Sequence, residues 1–324
     1  MIKGMAVVFI FIDGIGLGSA SSSNPFCTAD TPFFSKILEG NSLCIEAADK
    51  DYRTFSLLAL DATLGVEGLP QSATGQATLF TGENAPSLLG YHLHGFPNRE
   101  LQELLKEKGM FKRLRERFLN ATFANAFRPF IFDELKEGFK GSYSCSTLVN
   151  YYAGLPFRSL HDLQEGRAVY MDITNRLLPE MGFEIAAVTP QQAGERLASI
   201  SRDYHLTFYE HFITDIAGHK GVPAEAEEAV KTLDAFLAAV AASMDLQNDT
   251  LLITSDHGNL ENTRDRVHTY NPVPALIAGK DRKRATFFLR KQKDICGVFP
   301  ALQDILLTLN SSLTTPASFH NRQP

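Results

Sequence analysis

Three aspartates and three histidines are the residues of this chain whose types and spacing could do chemistry. Asp13 follows the apolar run AVVFIFI, Asp215 follows TFYEHFIT, and Asp256 follows TLLITS. Each run is rich in β-branched or aromatic residues and reads as a buried strand. In open α/β sheets, functional groups gather at the carboxyl ends of the strands. Three carboxylates gathered there repel one another strongly unless cations neutralise them. Histidines accompany two of these aspartates, His219 in DIAGH and His257 in DHGN, and His268 follows in HTYNPVP. Mixed Asp and His donors suit borderline divalent ions, Zn²⁺ or Mn²⁺ above all. A single Asp after a strand is commonly a helix cap, and Asp215 with His219 could be a helix-face pair. The repetition of the pattern turns the reading toward a metal site.

The glycines after Asp13 raise a different possibility. VVFIFIDGIGLG ends an apolar run in glycines, as a dinucleotide-binding turn does, but glycines at 14, 16 and 18 miss the G-x-G-x-x-G spacing. Asp13 would also set a carboxylate where a pyrophosphate must approach. A cation suits that position better than an anion.

A second informative stretch is GLPQSATGQATLFTG, residues 68–82. A proline, small and hydroxyl-bearing residues, then an apolar segment describe a turn feeding a helix N-terminus. Such a terminus offers backbone N–H groups and a positive dipole end to an anion. Ser72 or Thr74 there could be a nucleophile activated by a metal, or a plain helix cap.

The motifs D-x-x-G-H, DHGN-x-E and HT-x-NPVP, in that order, resemble the alkaline phosphatase superfamily, in its branch with cofactor-independent phosphoglycerate mutase and phosphopentomutase. The resemblance covers roughly residues 5–98 and 205–310. It implies two divalent metals flanking a transiently phosphorylated Ser or Thr. The family's S-x-x-G-[HQ] pattern matches Ser72-Ala-Thr-Gly75-Gln76, which makes Ser72 the nucleophile rather than Thr74. By the same resemblance Asp13, Asp256, His257 and Ser72 hold one metal, and Asp215, His219 and His268 the other. Gln76 stands where the mutases carry histidine, and the middle segment is shorter than the mutase cap. Arg128, Arg158 and Arg167 are candidates for gripping a substrate phosphate, because a guanidinium fork matches phosphate oxygens.

The elements around these residues read as an α/β protein, a mostly parallel sheet sandwiched by helices. SLLALDA and VPALIAG supply further strands. Helical spacing runs through Ala226, Val230, Leu233, Leu237, Val240 and Met244. After GFPN, at 95–98, strands and helices become shorter and less apolar. This predicts an inserted α/β cap over 95–199, with a discontinuous catalytic core from 1–94 and 200–324. The basic stretch KDRKRATFFLRKQK, 280–293, reads as a solvated hairpin around a TFFL strand.

The whole chain has 324 residues, 44% hydrophobic and 21% charged, and a net charge of −6. That charge gives no general attraction to nucleic acid or an anionic membrane. The seven-residue apolar stretch before Asp13 falls far short of the ~20 residues of a membrane span. Four scattered cysteines form no C-x-x-C pair, and the expectation is a cytoplasmic protein with reduced thiols. The function that the resemblance implies is metal-dependent phosphoryl transfer, as a phosphomutase or phosphatase, on a small phosphorylated metabolite. An aspartyl-phosphate phosphatase is disfavoured, since Ile15 breaks D-x-D. A sulfatase is disfavoured by the absence of C/S-x-P-x-R around Ser72. A hydrolase of another phospho- or sulfo-ester class, and a metal-stabilised protein that binds a metabolite without turnover, are the alternatives.

Overall fold

The computed structural model describes residues 6–138 and 140–313. Its centre is β1 (Val7–Ile12), whose six residues are all buried. A strand covered on both faces has no reason to alternate, which is why VVFIFI is apolar throughout. Val7, Phe9 and Phe11 face one core; Val8, Ile10 and Ile12 face the other.

The main sheet has seven strands in the order β2–β3–β9–β8–β1–β7–β4. They are β2 (Lys50–Asp51), β3 (Phe55–Leu60), β4 (Ala121–Phe123), β7 (Leu206–His211), β8 (Thr250–Thr254) and β9 (Val273–Gly279), with β1 between β8 and β7. A separate two-stranded sheet joins β5 (Ala126–Phe127) to β6 (Arg158–Ser159). β1 pairs in parallel with β7 and β8, and β4 pairs in parallel with β7. β9 runs antiparallel to both β8 and β3, and β2 antiparallel to β3. The sheet is mixed but mostly parallel, as expected: only β9 and the short β2 run against the rest. The cause lies in the connection. Residues 255–272 return from β8 to β9 without a crossover helix, so the next strand comes back antiparallel. That helix-free loop carries Asp256, His257 and His268.

Helices cover both faces. On the first, Ser72–Thr81, Arg99–Lys108, Met110–Arg115 and Cys145–Tyr152 enclose Phe9, Phe11, Phe80, Phe111 and Phe208. On the second, Pro190–Ser201 and Pro223–Ser243 pack on each other and on Val8, Ile10 and Tyr209. The Pro190–Ser201 helix opens with a Thr189–Gln192 capping box, and the periodic residues from Ala226 to Val240 form the buried stripe of Pro223–Ser243, which Met244 follows as its C-cap.

Three local expectations change. TFYEHFIT is not all strand: β7 ends at His211, and Ile213–Lys220 is a helix closed by Gly221 at φ +61°. The basic stretch is no hairpin but the helix Arg282–Gln292, because Ala285 and Leu289, four residues apart, bury one face against the core. The boundary expected at 95–199 does not coincide with a break in packing. β4 extends the main sheet, while Leu101, Leu105, Phe111, Leu148 and Val149 belong to the first core. A smaller cluster of Ala126, Leu163, Ala168, Tyr170, Leu178 and Ile185 packs by itself around β5 and β6. No helix of the described residues is long and apolar enough to cross a membrane.

Candidate metal centre

Residues from distant parts of the chain converge at the carboxyl ends of β8, β1 and β7. Asp13 directly follows β1, Asp256 and His257 follow β8, and Asp215 sits in the first turn of the helix after β7. Asp13, Asp256 and His257 form one group of potential ligands; Asp215, His219 and His268 form the other. In the first, His257 Nε2 lies 3.2 Å from Asp13 Oδ1 and 3.6 Å from Asp256 Oδ2. In the second, Nε2 of His219 lies 3.4 Å from Asp215 Oδ2 and 3.2 Å from His268 Nε2. The groups adjoin, since the His257 and His268 rings stack with centroids 3.7 Å apart. Ser72 is the first residue of its helix, and its Oγ lies 3.0 Å from His257 Nε2. Thr74 faces away: its hydroxyl donates to Gln71 O and accepts from Leu93 N.

The donor set fits divalent cations on three counts. Asp13 Oδ1 and Asp256 Oδ2 are buried with no hydrogen-bond partner, a costly state for carboxylate oxygens unless a cation meets them. Nδ1 of His257, His268 and His219 lies 3.4, 2.8 and 3.1 Å from the carbonyl oxygens of Gly258, Pro70 and Arg266. An Nδ1–H donated there leaves each Nε2 lone pair for a metal. Without metal, burial and the neighbouring Asp13 charge push the Asp256 carboxyl well above its usual range, and burial pushes Asp13 up as well. Burial opposes a charge on His257, but the Asp256 and Asp13 carboxylates outweigh it and raise the imidazole to about 10. Burial and the charge of His257 lower His268 to about 4.

Several supporting residues have no signal in the strand-then-Asp pattern. Glu261, the acid of DHGN-x-E, ties the loop after β1 to its own loop between β8 and β9. It accepts from Gly16 N and Asn259 N at 2.8 Å each, from Asn271 Nδ2 at 3.0 Å, and from the Thr269 hydroxyl. Gln76 Nε2 donates to Asp13 Oδ2 at 3.3 Å, and Asn259 Nδ2 to Asp215 Oδ1 at 2.7 Å. Two glycines permit the close approach. Gly14 has φ +73°, and a Cβ there would stand 2.7 Å from Asp215 Oδ1; at Gly75 it would stand 2.9 Å from Asp256 Cβ. Since Glu261 is buried and removing it orphans several donors, Glu261→Ala is expected to lower unfolding stability by about 3 kcal/mol. Denaturant titration in the presence of metal checks this.

A cavity of about 560 Å³ opens directly above Ser72, Asp13, Gln76 and Asp215. Its far wall comes from residues 125–131, 142–147, 170–171 and Met181. Glu210 of β7 also lines it, its carboxylate accepting from Ser146 Oγ at 2.8 Å. Burial pushes that carboxyl to about 8. Of the three arginines, only Arg128 lines this cavity. Arg158 is spent on Thr122 and Tyr204, over whose ring it packs. Arg167 pairs on the surface with Asp162 and Glu165. Nothing in the one-dimensional pattern separated these three, because their roles depend on which loop meets which edge of the sheet.

Residues 188–308 match the family described as "Metalloenzyme superfamily". Among curated relatives, the chain is 31% identical over 163 residues to a 2,3-bisphosphoglycerate-independent phosphoglycerate mutase of Prochlorococcus marinus, covering 47% of this chain and 28% of that one. It is 35% identical over 132 residues to the protein of that name from Microcystis aeruginosa, covering 37% and 24%. The chain thus spans about a quarter of the length of these relatives. Among solved structures, the PH0037 protein from Pyrococcus horikoshii shares the fold, with a TM-score of 0.54 at 16% identity over 95% of this chain and 98% of that one.

Proposed function

We propose that the protein, whose residues 188–308 match the family described as "Metalloenzyme superfamily", is a metal-dependent phosphoryl-transfer enzyme acting on a small phosphorylated metabolite through a phosphoserine at Ser72. The observation that carries this reading is the position of Ser72 Oγ. It stands at a helix N-terminus, 3.0 Å from His257 Nε2, beside both groups of potential ligands and at the floor of the cavity.

Asp13, Asp256, His257 and Ser72 would hold one divalent cation, and Asp215, His219 and His268 the other. When bound, such cations supply positive charge to the transferring phosphoryl group and to its entering and leaving oxygens. The chain's own residues do the rest. N–H groups in the first turn of the Ser72 helix have no acceptor within that helix and can face the phosphoryl oxygens. Ser72 Oγ attacks phosphorus as its proton passes to water in the cavity, since Asp13, Asp256 and His257 would be occupied as ligands. The ester P–O bond breaks, and the alcohol departs into the cavity with a proton. Water then attacks the phosphoserine, the P–Oγ bond breaks, and Ser72 recovers its hydroxyl as inorganic phosphate leaves. Hydrolysis is preferred to return of the phosphoryl group to another oxygen, because the cavity is rimmed by the exposed residues Phe96, Phe130 and Met181 and lies open to water.

Phosphorus NMR with Mn²⁺ or Zn²⁺ and a panel of phosphomonoesters tests the reading. Inorganic phosphate is the expected product. A resonance that moves to another position on the same substrate would make the protein a mutase. Turnover confined to diesters or sulfate esters, or binding without turnover, would replace the reading.

A further inference from the structure

The cavity beside Ser72 has one end fit for a phosphoryl group and another of opposite character. Away from Asp13 and Asp215 most of its wall is the apolar surface of Phe96, Phe127, Phe130, Tyr170, Met171 and Met181, with His94, Asn125, Ser144 and Thr147 among the polar residues beside them. Three of these rest in water: Phe96 is 57% exposed, Phe130 49% and Met181 44%. Large apolar side chains clustered around a cavity mouth are not explained by folding, since their exposure costs hydration and serves no core. They are explained by an apolar occupant.

The charges argue the same way. Among the described residues lining the cavity, Arg128 is the single lysine or arginine, with His94 the other basic side chain. Its guanidinium lies on apolar groups, with Cζ 5.2 Å from the Phe130 ring centroid and Nη1 3.3 Å from Met181 Sδ. Arg158 and Arg167 are committed elsewhere. A phosphate ester bearing a second anionic group would set that group against a largely aromatic wall whose one guanidinium already lies on Phe130 and Met181. Burying a charge without a matching partner is strongly unfavourable.

Resting on the phosphoryl-transfer reading above, we propose that the alcohol carried by the substrate is uncharged and largely apolar, an aryl or arylalkyl group held between the Phe127–Phe130 segment and Tyr170, rather than a glycerate or a multiply phosphorylated sugar. The phosphate end lies over Ser72. The apolar end lies against the Phe130 ring on which Arg128 is stacked.

The test compares esters whose leaving alcohols are all primary or secondary alkanols, so that leaving-group reactivity does not decide the outcome. They are 3-phenylpropyl phosphate, glycerol 1-phosphate and 3-phosphoglycerate, with metal-loaded protein. Binding of 3-phenylpropylphosphonate and of 3-hydroxypropylphosphonate is measured in parallel by calorimetry. The expected result is at least tenfold higher kcat/KM for the phenylpropyl ester and tighter binding of its phosphonate. Phe130→Ser and Met181→Ser, at exposed positions where folding is little affected, each shrink both preferences severalfold. Equal or better turnover of 3-phosphoglycerate overturns the inference and leaves phosphoryl transfer standing. No turnover of any ester, with the phosphonate preference intact, overturns phosphoryl transfer and leaves the apolar site. Loss of both overturns both.

Discussion

Ser72→Ala is expected to lower turnover on the order of 10⁴-fold or more, the scale seen when a covalent nucleophile is removed, while metal content changes little. The expectation follows from how the site is built. Ser72 Oγ is the hydroxyl at the head of its helix that points to His257, whereas Thr74 is bound to backbone groups. The carboxylates and imidazoles that would hold metal are fixed independently, by Glu261, Gln76, Asn259 and three backbone carbonyls. Loss of one hydroxyl should therefore leave them in place. Elemental analysis and a phosphate-release assay on the same preparation separate the two effects. Retained turnover would remove Ser72 from the role of nucleophile.

The second large effect concerns metal removal. Stripping divalent cations with a chelator is expected to destabilise the fold, and more so as pH rises. In the metal-free protein His257 is raised to about 10 and Glu210 to about 8, both by their surroundings in the folded state. A group whose folded pKa lies above its unfolded value contributes stability that is lost as pH climbs toward the folded pKa. For His257 the window runs from about 6.5 upward, and Glu210 adds to it up to about 8. His211 and His268, both lowered to about 4, act in the opposite direction only below about 6.5. Between pH 6.5 and 9 the contributions therefore share one sign, and the thermal midpoint of the chelated protein should fall on the order of 5 °C. Bound cations prefer deprotonated ligands, so the metal-loaded protein should fall less and the gap should widen with pH. Calorimetric scans with and without chelator across this range read it directly. A gap that is flat or narrows would contradict the placement of cations at these carboxylates.

How much of this was legible in the chain differs by level. The grouping of the candidate ligands was, because Asp13 and Asp256 each follow an apolar run, and β1 and β8 place those ends side by side. Asp215 was legible for a partly mistaken reason: it begins a helix rather than ending a strand, and the i, i+4 spacing that suggested a mere helix-face pair is what brings His219 to it. Direction of β9 was not legible, because it depends on the absence of a crossover in a loop rather than on the strand's own composition. TFFL was misread since two aromatics and a threonine favour a strand locally, while the contacts of Ala285 and Leu289 with the core decide for a helix. In the middle segment, shorter and more polar elements suggested an inserted cap; β4 and the Arg99–Lys108 helix join the main core, while the elements around β5 and β6 form a cluster of their own. Glu210 and the aromatic wall carry no motif at all, because a cavity is a relation among segments and not a property of any one.

The most direct measurement of the central claim is rapid-quench mass spectrometry of metal-loaded protein mixed with a turned-over phosphomonoester. Mass gain of one phosphoryl group on the 68–82 segment, localised to Ser72 and absent in Ser72→Ala, is the predicted result. Turnover with that segment unmodified at every quench time, or with the phosphoryl group on another residue, would contradict it.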